Sequence, residues 1–548
     1  MALGSENNWK DILTLYYNHK RQMDVVNILT IYNVLSKIKL VNTNDPNFLR
    51  FLEETIHQIE AKGFQNIGAE SFVNILESLA KRQLSNKLYI SRMIAELDCK
   101  DNVLLLFESK NVSIISNCVW SCAKAGIPSL HLFRMLESKA DWLFENGKSR
   151  DITKCIWACA KLGIHSPNLF RMLEMRADWM LENRNIHAIA NCIWSCARLG
   201  IQSPNLFREL DSKADWLFES NSTQSVSNCV WACATLGIQS PNLFRILEER
   251  SEWLFENGAC QEVSNCVWSC ARLGVQSPNL FRELDSRAAW LFESRSTQSV
   301  SNCIWACATL EIQSPNLFRM LERRSGWLVQ YGKRQEVANC VWSCATLGVR
   351  SPNLFRALDS RADWLFENGS ARVISNCVWA CAKLGIHSRN LFQTLESRAD
   401  CLFEREDVQA ISICAWSCAT LGVQSPNLFR ELDSRADWLF ESGNVQAISN
   451  CAWACATLSI PSPNFFRLLE SRAEWLFNCG NAQSISNYVW AMSECGMLSE
   501  TIIYLVDQKA QWLLDHDEYA AVATVARSLA KHNVHSSILF TLLKNKIA

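Results

Sequence analysis

The residues of this 548-residue chain with the widest chemical reach are its cysteines. Twenty of the 25 fall in pairs four apart, from Cys118/Cys122 and Cys155/Cys159 through to Cys451/Cys455. Thiolates at that spacing share a helical face, and a pair of them could begin a zinc site. Zinc wants four ligands, often including His, and no His stands in phase with the pairs. A disulfide within one pair would fit helical geometry badly. The remaining chemistry is packing: Cys is a small, soft hydrophobe suited to closely approaching helices. The pairs are expected to be shielded and reduced, with no metal or other cofactor. So many unpaired thiols point to a reducing compartment: cytosol, nucleus or an organelle matrix.

A second set of residues has the chemistry of recognition. Each Cys pair brackets a Trp, which recurs every 37 residues from Trp120 to Trp490. Counted from that Trp, positions −7, −3, +1 and +4 are mostly polar, and their steps of four, four and three place them on one helical stripe. Position −3 is Asn in nine copies: Asn117, Asn191, Asn228, Asn265, Asn302, Asn339, Asn376, Asn450 and Asn487, with Lys154 and Ile413 as the exceptions. Position +4 varies narrowly, through Lys124, Lys161, Arg198, Thr235, Arg272, Thr309, Thr346, Lys383, Thr420, Thr457 and Glu494. Two readings stand side by side. The Asn row can be a structural ladder and the +4 row an ordinary solvated helix end. Alternatively, amides and hydroxyls meet base edges while Lys and Arg reach phosphate, one unit per nucleotide. The Trp residues flank apolar faces and are expected in the core.

The elements that position these rows are read from the repeat. Eleven copies without insertion mean a solenoid, in which each unit packs only on its neighbours. In the copy Ser222–Gly258, apolar Val226, Cys229, Val230, Cys233, Ala234 and Leu236 follow helical steps. Gly237 supplies a left-handed stop, and Ser240-Pro241 reads as an N-cap followed by Pro at the first helical position. A second helix then runs on to Glu256, with Leu243, Phe244, Leu247, Leu254 and Phe255 inward. The predicted fold is all-α: a right-handed-type α-solenoid of about fourteen helical hairpins. Residues 1–110 are degenerate capping repeats, 111–517 the eleven regular ones, and 518–548 a C-terminal cap. Glu77 and Arg527 replace the Trp in the outer copies, as solvent-facing caps require. The array should be on the order of 100 Å long, enough for about ten nucleotides.

The net charge of −1 announces no global basic or acidic field. The 49% hydrophobic content excludes a solvated coil, and no stretch is apolar enough to span a membrane. The start of the chain has no apolar signal core and no Arg before Arg21, a poor secretory or transit signal. No phosphate loop, paired His ligands or nucleophile–base motif is present, so no enzyme is expected.

The phrase Asn376-Cys-Val-Trp-Ala-Cys-Ala-Lys-Leu-Gly385, followed by an Asn-Leu-Phe turn, resembles the octotricopeptide-repeat family. The 37-residue spacing is similar to the related heptatricopeptide repeats. The resemblance covers residues 111–517 well. The turn departs from it, since Ser-Pro-Asn-Leu-Phe stands where a Pro-rich Trp turn is usual. What the resemblance implies is a monomeric, non-enzymatic binder of single-stranded organellar RNA, in mitochondrion or chloroplast, supporting transcript stability, processing or translation, with a ribosome or RNA-processing complex as partner. The rival expectation is a protein-binding scaffold that uses the same surface for an extended peptide.

Overall fold

Helix starts and stops in the repeat are set by a few residues. In the computed structural model, which describes residues 8–38, 41–82, 88–182, 185–515, 519–534 and 537–547, the first helix of the fourth regular repeat is Thr223–Leu236. Ser222 caps it through the backbone N–H of Ser225, and Gly237 closes it at φ 70°. Left-handed backbone carries no Cβ penalty at glycine. The same stop recurs at Gly126, Gly163, Gly200, Gly274, Gly348, Gly385 and Gly422. Two repeats lack the glycine and put Glu311 (φ 57°) and Ser459 (φ 53°) there instead. Residues 1–7, where a targeting signal was sought, lie outside the described residues.

All described elements are helices, and successive ones stack only on near neighbours, the α-solenoid architecture. The chain divides into two compact units, residues 1–279 and 280–548. Within the first, seven first-type helices pack side by side in sequence order, from Val25–Lys37 and Ala69–Arg82 to Cys260–Leu273. Within the second, seven more follow the same plan, from Thr297–Thr309 to Tyr519–Lys531. The fourteen expected units are thus counted among the described residues. Among these, no helix is long and apolar enough to cross a membrane.

The first helices meet through their small residues. All twenty paired thiols are buried and none is in a disulfide, alongside Ala and Ser at the same interfaces, so consecutive backbones approach closely. Burial pushes the thiols of Cys159, Cys233 and Cys270 up to about 12.

Two expectations about the second helix are corrected. It does not run on: nearly every copy bends midway, as in Pro241–Glu249 and Ser251–Asn257 with Arg250 at φ −105°, ψ 21° between them. No proline or glycine causes the bend. The joint residue is Lys or Arg, and the next is a buried Ala or Ser, such as Ala140, Ala214 or Ser251, which lets the backbone press inward. Pro315–Tyr331 and, in the last regular copy, Glu500–Asp515 stay unbroken. Nor does the Ser before Pro cap its own helix. Ser240 makes no side-chain cap bond. Its hydroxyl donates instead to Asp211 of the preceding repeat at 2.7 Å, and the same carboxylate accepts the backbone N–H of Leu243 at 3.1 Å. A carboxylate from the previous unit therefore does the capping. The latch recurs at Asp98–Ser129, Glu174–Ser203, Asp285–Ser314, Glu322–Ser351, Asp359–Ser388 and Glu396–Ser425, at 2.5 to 2.8 Å. A carboxylate at a helix N-terminus accepts free N–H groups and opposes the helix dipole, so both partners gain.

Candidate nucleic-acid interface

The stripe on the first helix has a different membership from the one its polarity suggests. Position +1 is buried: Ser121, Ser195, Ser269 and Ser343 are inaccessible and donate back to the carbonyl four residues earlier, at 2.6 to 2.7 Å. Its place is taken by the Trp. All eleven Trp residues of this row, from Trp120 to Trp490, are half-buried rather than in the core. Positions −7, −3, 0 and +4 fall within a narrow arc at 100° per residue, while the Cys pair faces the opposite way.

Within each unit the surface is thus a row of indoles lined by amides and cations. Trp120 stacks on Trp157 with centroids 6.5 Å apart, and Trp453 lies 6.1 Å from Trp490. The Asn residues of the row sit half-buried beside the rings. Direct laddering is seen at Asn487, whose amide donates to Asn450 at 3.1 Å, while Lys154 donates to Asn117. Gln335 donates to Asn339 within its own helix at 2.8 Å. Asn191, Asn228 and Asn376 have no side-chain hydrogen-bond partner among the described residues. The Thr residues at +4 are exposed, but the hydroxyls of Thr235, Thr309, Thr346, Thr420 and Thr457 each donate to the Trp carbonyl four residues back, at 2.7 to 3.0 Å. Only their acceptor lone pairs remain for a ligand.

The cations of this face stand apart from acids. Lys124, Lys161, Arg198, Arg272 and Lys383 at +4, with Arg150 and Arg372 at −7, have no carboxylate partner among the described residues. Basic residues of the second arms are instead engaged: Arg171 with Asp141, Arg245 with Glu249, Arg435 with Glu431. In an outer copy of each unit the +4 cation is neutralised, Lys81 by Glu77 at 2.8 Å in the first and Lys531 by Glu494 at 2.7 Å in the second. The free cations lie between those pairs in sequence. Sequence reasoning missed the Trp row as a surface group and, although it placed position −7 on the polar stripe, did not name Arg150 and Arg372 as site residues. The helical angle of Trp would have found them, because it shares the arc of −3 and +4.

Two clefts open on this face. One, of about 300 Å³, is lined by Trp120, Arg150, Lys154, Trp157, His187 and Asn191 among others. The other, of about 530 Å³, is lined mainly by Trp416, Trp453, Trp490, Asn450, Asn487 and Gln483. A family model described as RNA-editing substrate-binding complex 6 protein matches residues 17–310, 293–500 and 343–548. The chain belongs to that family. The matched stretches of this RNA-editing substrate-binding complex 6 protein family overlap, as a repeated unit allows. The assignment agrees with the broad resemblance to RNA-associated helical repeats and does not show the octotricopeptide or heptatricopeptide family specifically. A comparison with curated proteins found no match.

Proposed function

We propose that this protein is a non-enzymatic, sequence-selective binder of single-stranded RNA, acting within an RNA-editing substrate-binding complex in an organelle matrix. The observation that carries the reading is the line of half-exposed Trp rings flanked by cations that no carboxylate neutralises. Exposed indoles offer stacking platforms to unpaired bases, worth about 1–3 kcal/mol per base. The unpaired cations supply phosphate contacts, and the amides of the −3 row stand at the height of the base edges. The near-zero total charge does not oppose this, because the acids are collected on the second arms. Other proteins of such a complex are the natural partners of those arms.

Replacing Lys124, Lys161, Arg198, Arg272 and Lys383 together by Thr tests the reading. Thr already occupies the position in five copies, so the fold survives. Affinity for any single strand should fall, and the slope of log K against log salt should flatten by about three to four, since each phosphate contact on a single strand contributes about 0.7. Titrations at several salt concentrations read both. Equal affinity and equal slope would transfer the face to a protein partner.

A further inference from the structure

One place on the Trp face differs from all others. In the second regular repeat, position −3 is Lys154 instead of Asn, and position −7 is Arg150 instead of the usual Gln; in the next repeat, −7 is His187. These three bring their nitrogens to the cleft between Trp120 and Trp157, together with Asn191. Lys154 is half-buried and donates to Asn117; burial, with Arg150 alongside, lowers its pKa from the ordinary lysine value. His187 shares a 3.1 Å hydrogen bond with Ser225 through Nδ1, which fixes its ring. Arg150 is exposed and has no partner among the described residues. The cleft of the second unit also has Trp walls, but Asn450, Gln483 and Asn487 line it with a single cation, Arg527. An indole wall with converging cations, in a space of about 300 Å³, matches a planar base joined to a phosphate.

We propose that this cleft is an anchoring nucleotide site: one base lies against the Trp120–Trp157 pair and its phosphate is held by Arg150 and Lys154, setting where a strand begins on the array. The inference rests on the RNA-binding reading above. Its ligand chemistry is a nucleotide phosphate, supplied by the 5′ end of a strand or by an internal linkage. Arg150 and Lys154 sit close together and repel one another, Asp151 and Glu77 offset only part of the cost at Lys154, and a phosphate bridging the two cations relieves the repulsion while its base stacks.

The test compares two double variants of the full chain with equal charge loss, Arg150→Gln/Lys154→Asn and Arg372→Gln/Lys383→Thr. Each incoming residue is the one other copies carry at that position, and the Asn450–Asn487 bond shows that paired amides are accommodated. Thermal melts of both should match the wild type. Binding of a 5′-phosphorylated ten-nucleotide RNA should weaken about tenfold for the first variant and only about two- to threefold for the second. Crosslinking of a 4-thiouridine-substituted version should concentrate in peptides from residues 112–162. A parallel 5′-hydroxyl strand assigns the source: a tenfold effect that vanishes places the strand end in the cleft, and one that persists places an internal phosphate there. Equal losses for the two variants, with crosslinks spread evenly over the repeats, would overturn the anchor and leave the RNA reading standing. No binding by the wild type would overturn both.

Discussion

At the residue scale, side chains of one type do different work according to the arc they occupy. The paired thiols face the core, and at Cys229, Cys266 and Cys340 burial raises the pKa well above the ordinary thiol value, so the thiolate needed for reaction is scarce there. Labelling of the folded chain with a maleimide should modify the exposed Cys99, Cys479 and Cys495 and spare the twenty paired Cys; denaturation should release them. Rapid labelling of the paired set in the folded state would contradict this. Glu311 and Ser459 hold left-handed backbone without the glycine that other repeats use. Replacing either with Gly should raise stability by about 1 kcal/mol, seen as a higher urea midpoint at constant m-value. Much of this was readable in advance. The Gly stops, the Cys faces and the helical periods follow from spacing alone. The Trp residues were misplaced because hydrophobicity was weighed above helical angle: Trp231 stands next to the buried Val230 in sequence, yet about 100° around the helix from it.

Between elements, the strongest specific contact is the carboxylate latch, and it is the feature least legible in a single copy. Ser-Pro at a helix start suggests a self-contained cap; the acid that closes it lies 29 residues earlier, in another repeat. Substituting Asp285 with Asn should cost about 1–2 kcal/mol, because the amide keeps the shape but loses the charge-assisted bonds at the next helix start. Chemical denaturation measures it, and an unchanged midpoint would show that the latch carries no stability. The latch also predicts acid sensitivity at its first member. Burial works against ionisation at Asp98, but the Ser129 hydroxyl and the backbone N–H groups of His131 and Leu130 outweigh it and hold the carboxyl below its ordinary value. A depressed folded pKa gives stability that is fully present above the unfolded value, about 3.9, and is lost as pH falls through the folded one. Asp98→Asn should therefore lower stability at neutral pH and narrow its difference from wild type below about pH 4.

For the molecule as a whole, the repeat count sets the size of the ligand. If each regular repeat takes one nucleotide, affinity for homopolymer RNA should climb with length and level off at about ten nucleotides. A plateau at three or four would confine binding to one locality. The class of fold and the number of units were legible from period alone, since a strict 37-residue phase admits nothing but stacking. The family was not, because a short first-helix phrase does not separate one family of helical repeats from another. The latch carries one more consequence. Every regular repeat both offers a carboxylate forward and presents a serine backward, and Asp serves as well as Glu. Any two repeats are therefore compatible at a junction. A gene that gains or loses whole 37-residue units by unequal exchange would still encode a chain in which every junction closes, whereas an exchange out of phase would leave an acid without its serine. The bond that joins neighbours thus also proofreads the lengths to which this protein can evolve.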